Sequence, residues 1–271
     1  MQNAAFKHLG LDLYYYAAEI RPEELPEAIR GLSKLGFAGA NVTIPYKEQV
    51  LPFLDHLDQS GYEAQAVNTV VCRDGKLWGY NTDGEGFIRS LAEEGIVPRG
   101  KVFCLIGAGG AARGVAQALV RQGAACIDFI NRTPKRAVRL IEDILRSAEK
   151  AGSVLTTELK ALPLCRESFE AALSRAQVLV NCSPVGMYPR VFDSPLPYPE
   201  LLRPSLVVYD LVYNPYQTAL LREAASRGCQ TISGLGMLVY QGAAAFSLWT
   251  GMSAPVEIMW AAAKSSITGE R

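Results

Sequence analysis

The run Val102-Phe103-Cys104-Leu105-Ile106-Gly107-Ala108-Gly109-Gly110-Ala111-Ala112 decides the fold. Its first five residues are apolar without alternation, as expected of a strand buried on both faces in a parallel sheet. The next six spell G-x-G-x-x-A, and the apolar spacing beyond them predicts a helix over Ala111–Gln122. Strand, glycine turn and helix in that order form the dinucleotide fingerprint. The glycines allow a tight turn and close backbone approach, while the helix N-terminus offers unpaired N–H groups and a positive dipole end to a pyrophosphate. Gly107, Ala108, Gly109, Gly110 and Ala111 are therefore candidate cofactor residues.

One step outward, Ala125–Ile130 reads as the next strand, and it ends in Asn131-Arg132-Thr133, with Lys135 and Arg136 following. NAD sites carry Asp or Glu about 20 residues past the loop to hold the ribose 2′-hydroxyl. A carboxylate would repel a 2′-phosphate, whereas an arginine fork binds one with two charge-assisted bonds. Asp128 is acidic but falls inside the strand, too early for that task. Asn131, Arg132, Thr133 and Arg136 thus point to NADP(H).

The alternation of strand and helix extends both ways and predicts an α/β fold. Downstream, a helix is expected over Lys135–Glu149, strands over Val178–Asn181, Leu206–Leu211 and Gln230–Ile232, and a proline-rich surface loop over Ser183–Pro204. Upstream, Leu13–Ile20 reads as a strand. Pro22 opens a helix carrying Leu25, Ile29, Leu32 and Leu35, which Gly36 ends. Phe37–Thr43 reads as a strand, and Pro45 as the start of a further helix. Val67–Cys72 and Leu77–Tyr80 flank the hairpin signal Asp74-Gly75, and a helix runs from Gly84 to Glu94. Gly95–Gly100 is the expected boundary. Two domains follow: residues 1–98 as an α/β substrate domain and 99–236 as a Rossmann-like nucleotide domain. The helices Met237–Thr250 and Pro255–Ser265, within 237–271, are expected to pack back on the first domain.

Composition narrows the classes. The 271 residues carry 27 Lys plus Arg against 27 Asp plus Glu, so no net field attracts nucleic acid or an anionic membrane. Half the chain is hydrophobic, enough for a large core. The longest uncharged stretch, Gly228–Val256, is interrupted by glycines and reads as buried helix and loop rather than a membrane span. No secretory signal pattern opens the chain. Six scattered cysteines with no C-x-x-C read as reduced thiols of a cytoplasmic protein, and no metal site is expected. His8 and His56 read as surface or packing residues.

Two polar corners lie in the first domain. Asn41-Val42-Thr43-Ile44-Pro45-Tyr46-Lys47 runs from a strand toward the expected helix, placing Lys47 in its first turn. There the dipole favours the neutral lysine, useful for proton transfer if it faces a cleft and a small stability cost if it does not. Asn81-Thr82-Asp83-Gly84 precedes the next helix, where Asp83 is either an N-cap or a site residue. Both corners lie at C-terminal strand ends, where α/β folds place ligands.

Taken with Ala66-Val67-Asn68-Thr69, Tyr209–Tyr213 and Met237–Gln241, these motifs closely resemble the shikimate dehydrogenase family over nearly the whole chain. The resemblance implies reversible NADPH-dependent reduction of 3-dehydroshikimate to shikimate. It implies Lys47 as the acid/base residue and Asp83 as its partner and a substrate ligand. Thr43, Asn68, Tyr213 and Gln241 would also hold substrate, and Leu211 and Gly234 would join the glycine loop and Asn131–Arg136 around NADP. It leaves open a relaxed quinate/shikimate or aminoshikimate enzyme, a folate dehydrogenase, a non-catalytic NADPH-binding module, and a monomer or homodimer. The family opens with a strand and a Ser-x-Ser-Pro segment that holds the substrate carboxylate. Here Met1–Phe6 reads as the helix that follows, closed by Gly10, with no serine before Ser33. A late start and a first sheet one strand short are the expectation.

Overall fold

The computed structural model describes residues 1–150, 152 and 154–269. The chain opens with α1 (Gln2–His8), an extended run, a 3-10 turn at Pro22–Glu24 and α2 (Leu25–Lys34). Next come β1 (Gly39–Asn41), β2 (His56–Leu57), α3 (Gln59–Ala64), β3 (Thr69–Arg73), β4 (Lys76–Tyr80) and α4 (Asp83–Glu93). The first sheet has the order β1-β3-β4-β2, with β1 and β4 antiparallel to β3 and β2 parallel to β4. The hairpin forms where Asp74-Gly75 predicts it, with φ of 51° and 73°. Positive φ at both central residues is the turn whose twist matches paired strands. Leu25, Ile29, Val42, Val67, Val70 and Leu77 bury against one another beneath this sheet.

The second sheet is built from β5 (Val102–Ile106), α5 (Gly110–Arg121), β6 (Cys126–Asn131), α6 (Pro134–Lys150) and β7 (Glu158–Pro163). It continues through α7 (Arg166–Arg175), β8 (Val178–Asn181), β9 (Val207–Asp210), α8 (Ala219–Ser226) and β10 (Gln230–Ser233). Its order is β10-β9-β8-β5-β6-β7, all parallel. The apolar run of β5 is unbroken because both faces are covered: Phe103 and Leu105 enter one core, Cys104 and Ile106 the other. The order reverses between β5 and β8, and the crevice at such a reversal is where open α/β sheets bind ligands.

Two helices, α9 (Leu235–Thr250) and α10 (Val256–Thr268), close the described chain. They share a core with α1 through Ala5, Phe6, Val239, Phe246 and Met259. α9 also lies along α4, where a β-carbon on Gly86 would stand 2.7 Å from the Gln241 amide nitrogen. No described helix is long and apolar enough to cross a membrane. All six cysteines are free thiols, and His56 lies on Trp78 with ring centroids 4.2 Å apart.

Three expectations need correction. Leu13–Ile20 joins no ladder, and Leu13, Tyr14 and Tyr16 are exposed. A strand requires a partner, and here the Asn3 side chain takes both backbone groups of Tyr15, at 2.7 and 2.8 Å. Nor does a helix start at Pro45. Residues 44–50 form successive turns, because the Lys47 carbonyl accepts from Val67 N–H at 2.7 Å instead of from the next helical turn. A second proline, Pro52, would in any case stop a helix there. The Ser183–Pro204 loop is not merely superficial, since Leu196 and Leu202 are buried in the second core. Several short or half-exposed elements (β2, α3, β7, α7 and α8) carry too weak a period to be read from sequence.

Candidate active site

Lys47 leaves the turns after β1 and meets Asp83 at the start of α4, with Nζ 2.5 Å from Oδ2. The pair is desolvated: the Lys47 side chain is 14% exposed and that of Asp83 4%. Lys47 starts no helix of its own, and the charge partner of its cation is this carboxylate. Asp83 is not the N-cap of α4; that position is Thr82, and Asp83 is the first helical residue. Its carboxylate therefore lies at the positive end of the α4 dipole.

Asn68, at the entrance to β3, organises the rest. Its Nδ2 donates to Asp83 Oδ1 at 2.8 Å, and lies 3.0 Å from Thr82 Oγ1 and 3.2 Å from Gln241 Oε1. Its Oδ1 accepts from the Thr82 N–H at 2.8 Å and from Thr69 Oγ1 at 3.0 Å. A residue 2% exposed with both ends of its amide engaged is held rigidly. Lys47, Asn68, Asp83 and Gln241 are thus brought together from four distant parts of the chain. Thr43 stands exposed on the turn before Lys47, and Tyr213 is 40% exposed after β9. Burial, and then the neighbouring Tyr213, pushes the Tyr15 phenol up.

Four participants were not singled out from sequence. Asn81 accepts from the Asp83 N–H at 3.1 Å and donates to the Ala66 carbonyl at 2.8 Å, which sets the start of α4. Thr82 and Thr69 enclose the Asn68 amide. Asn41 donates to the Asn68 carbonyl at 3.1 Å and receives the Tyr15 hydroxyl at 3.2 Å. Asn41 and Asn81 each begin a quoted motif, so the signal was present but its meaning was tertiary.

The glycine loop faces this cluster. A β-carbon on Gly110 would lie 3.3 Å from Lys47 Cβ, so the N-terminus of α5 approaches the lysine. Gly107 has φ of 113°, and its α-carbon faces Cys182 and Ser183 so closely that a β-carbon would meet them at 3.2–3.3 Å. Gly109, the N-cap of α5, makes no side-chain cap bond and has open space beside it. An uncapped helix start with an open face fits a pyrophosphate. Ala108 is buried beneath the loop and Ala111 half-buried in α5. Arg132, Thr133 and Arg136 are exposed at the end of β6, beside half-buried Asn131, and neither arginine forms an ion pair among the described residues. Leu211 and Gly234 meet at the ends of β9 and β10, where Gly234 has no room for a side chain against the Leu211 carbonyl. The residues present fit an NADP-type nucleotide.

Comparison with known proteins agrees over most of the chain. Residues 1–70 match the model of the shikimate dehydrogenase substrate binding domain, 91–179 that of shikimate/quinate 5-dehydrogenase, and 234–264 that of the shikimate 5′-dehydrogenase C-terminal domain. A shikimate dehydrogenase (NADP(+)) of Moorella thermoacetica is 47% identical over 262 residues, spanning 96% of this chain and 85% of the relative. The Methanopyrus kandleri enzyme of the same name is 48% identical over 260 residues, covering 96% and 87%. Among solved structures, a shikimate dehydrogenase in complex with NADP+ superposes with a TM-score of 0.87 at 41% identity, covering 98% of this chain and 89% of that one. The Thermus thermophilus shikimate 5-dehydrogenase with NADP(H) and shikimate gives 0.84 at 38% identity, covering 97% and 92%. With its lysine–aspartate pair set against an uncapped glycine loop, the chain belongs to the shikimate dehydrogenase family.

Proposed function

We propose that this chain interconverts 3-dehydroshikimate and shikimate with NADP(H). The observation that carries this is the desolvated Lys47–Asp83 pair lying against the glycine loop at Gly110. Lys47 is the acid/base residue: in reduction its ammonium gives a proton to the carbonyl oxygen, and in oxidation its neutral amine takes one from the hydroxyl. Asp83 orients Lys47 and accepts a substrate hydroxyl, and Asn68 holds Asp83 so that neither carboxylate oxygen drifts. Thr43, Asn68, Tyr213 and Gln241 complete the substrate wall. Gly107–Ala111 cradle the pyrophosphate, Asn131–Arg136 take the adenosine end with Arg132 and Arg136 on the 2′-phosphate, and Leu211 and Gly234 border the nicotinamide. When bound, the cofactor supplies or accepts the hydride.

In this scheme residues 1–98 form the substrate domain, 99–236 the nucleotide domain, and 237–271 return to the first. We place the protein in the cytoplasm, as a monomer or homodimer. A relative named quinate dehydrogenase, from Corynebacterium glutamicum and in complex with NAD, superposes with a TM-score of 0.85 at 30% identity, so quinate is the second substrate to try. The experiment follows NADPH absorbance with shikimate, quinate or neither, and then with NAD+ in place of NADP+. Turnover of shikimate with NADP+ is expected. No turnover of either acid, with NADP+ still bound, would overturn the proposal in favour of a binding module.

A further inference from the structure

At the last residues of β8 and β9, Asn181 and Asp210 are register partners, and both are fully buried. Asp210 Oδ1 accepts from Asn181 Nδ2 at 2.8 Å and from the Val212 N–H at 3.0 Å, while Oδ2 accepts from Thr218 Oγ1 at 2.7 Å. Asn181 in turn accepts from the Ser183 N–H at 2.9 Å and Ser183 Oγ at 2.7 Å, and donates to the Val185 carbonyl at 3.2 Å. Thr218 is the N-cap of α8. One carboxylate therefore gathers three donors from three segments, all at the strand ends that border the crevice.

We propose that Asp210 is a positioning residue for the nicotinamide end of the cofactor site, its buried carboxylate fixing the turn after β8 and the Leu211–Tyr213 segment after β9 as one unit. The inference rests on the cofactor assignment above. The geometry supplies the connection. The Val212 bond sets the backbone between Leu211 and Tyr213, and the Asn181 relay sets Ser183, against which Gly107 packs. An asparagine has one acceptor oxygen and would lose the Thr218 bond or one of the others. Burial also pushes the Asp210 carboxyl up to about 6, against the pull of the three hydrogen bonds. No cation pairs with it among the described residues. The titratable group that feels its charge is the Cys182 thiol, pushed up first by its own burial and then by Asp210.

The test is NADP+ binding to the full chain by calorimetry, without substrate, for wild type, Asp210→Asn and Thr218→Val. At a pH of about 7.5, Asp210→Asn is expected to weaken binding about tenfold and Thr218→Val about threefold, each with a cooperative melt. On acidification through about 6, wild type protonates Asp210, and the Asp210→Asn to wild-type ratio of Kd falls toward one. The cofactor's own 2′-phosphate titrates with both proteins and cancels in that ratio. A purely structural aspartate would give a ratio that does not change with pH, and that result would overturn the inference, as would a ratio near one for both folded variants. Failure of the wild type to bind NADP+ at all would instead remove the cofactor assignment itself.

Discussion

Gly84 of α4 and Gly114 of α5 meet so closely that a β-carbon on Gly84 would stand 2.7 Å from the Gly114 carbonyl oxygen. On the other side of α4, Gly86 makes the same kind of approach to Gln241 of α9. Asp83 precedes Gly84, so the helix that presents the carboxylate is wedged between the nucleotide sheet's first helix and the returning C-terminal helix. Gly84→Ala is expected to cost about 1–3 kcal/mol of stability through overpacking. It should also lower kcat/KM for shikimate, because relief of the clash moves Asp83. Urea unfolding beside steady-state kinetics checks this, and wild-type values in both would mean that the two helices slide apart freely.

Lys47→Ala is expected to lower kcat by about 10²–10⁴ while NADP+ still binds. Removing the cation leaves Asp83 buried, so a loss of stability accompanies it. Near-normal turnover in the variant would remove Lys47 from the proton-transfer step. For Asp83→Asn, both kcat and KM for shikimate should suffer if, as proposed, the side chain both orients Lys47 and meets substrate. An effect confined to KM would reduce it to a substrate ligand.

Arg132 is exposed and unpaired with any carboxylate among the described residues, which leaves its guanidinium available to a phosphate. Charge-assisted bonds contribute about 1.5–3 kcal/mol each. Arg132→Ala should therefore weaken NADP+ about tenfold or more and leave NAD+ affinity nearly unchanged. Parallel titration with both nucleotides measures the difference. Equal losses would show that Arg132 does not read the 2′-phosphate.

Asp210 also predicts a slope in stability against pH. Burial raises its carboxyl from 3.8 to about 6 in the folded chain. The folded state thus keeps a proton that the unfolded chain releases between those values, and stability from this group falls as pH rises through the window. The shift corresponds to about 3 kcal/mol. Asp210→Asn should flatten that part of the profile relative to wild type, read from melting temperatures across the acid range. Identical slopes would mean that the folded carboxyl ionises at its ordinary value.

The amino-acid sequence by itself determined the centre of the nucleotide half of this protein, the glycine-turn unit and the apolar strands beside it, though not β7, α7 or α8. Strand, glycine turn and helix are adjacent in the chain, and a buried parallel strand needs only an uninterrupted apolar run, so Val102–Ala112 was legible from local pattern. The hairpin at Asp74-Gly75 was legible for the same reason: two residues carry the positive φ that the turn requires. Motif likeness named Lys47, Asp83, Asn68 and Gln241, but not what surrounds them. Asn68 reaches Gln241 across 173 positions, and Lys47 reaches Asp83 across 36. The tertiary structure decided that Pro45 opens no helix, because the Lys47 carbonyl is bonded to Val67 and not to its own next turn. It decided equally that Leu13–Ile20 is no strand, since extended residues become one only when a neighbour offers a ladder and Asn3 answers Tyr15 instead. Local propensity specifies which conformations a segment favours. Long-range hydrogen bonds and close glycine contacts select among them, and the lysine–carboxylate geometry exists only after that selection.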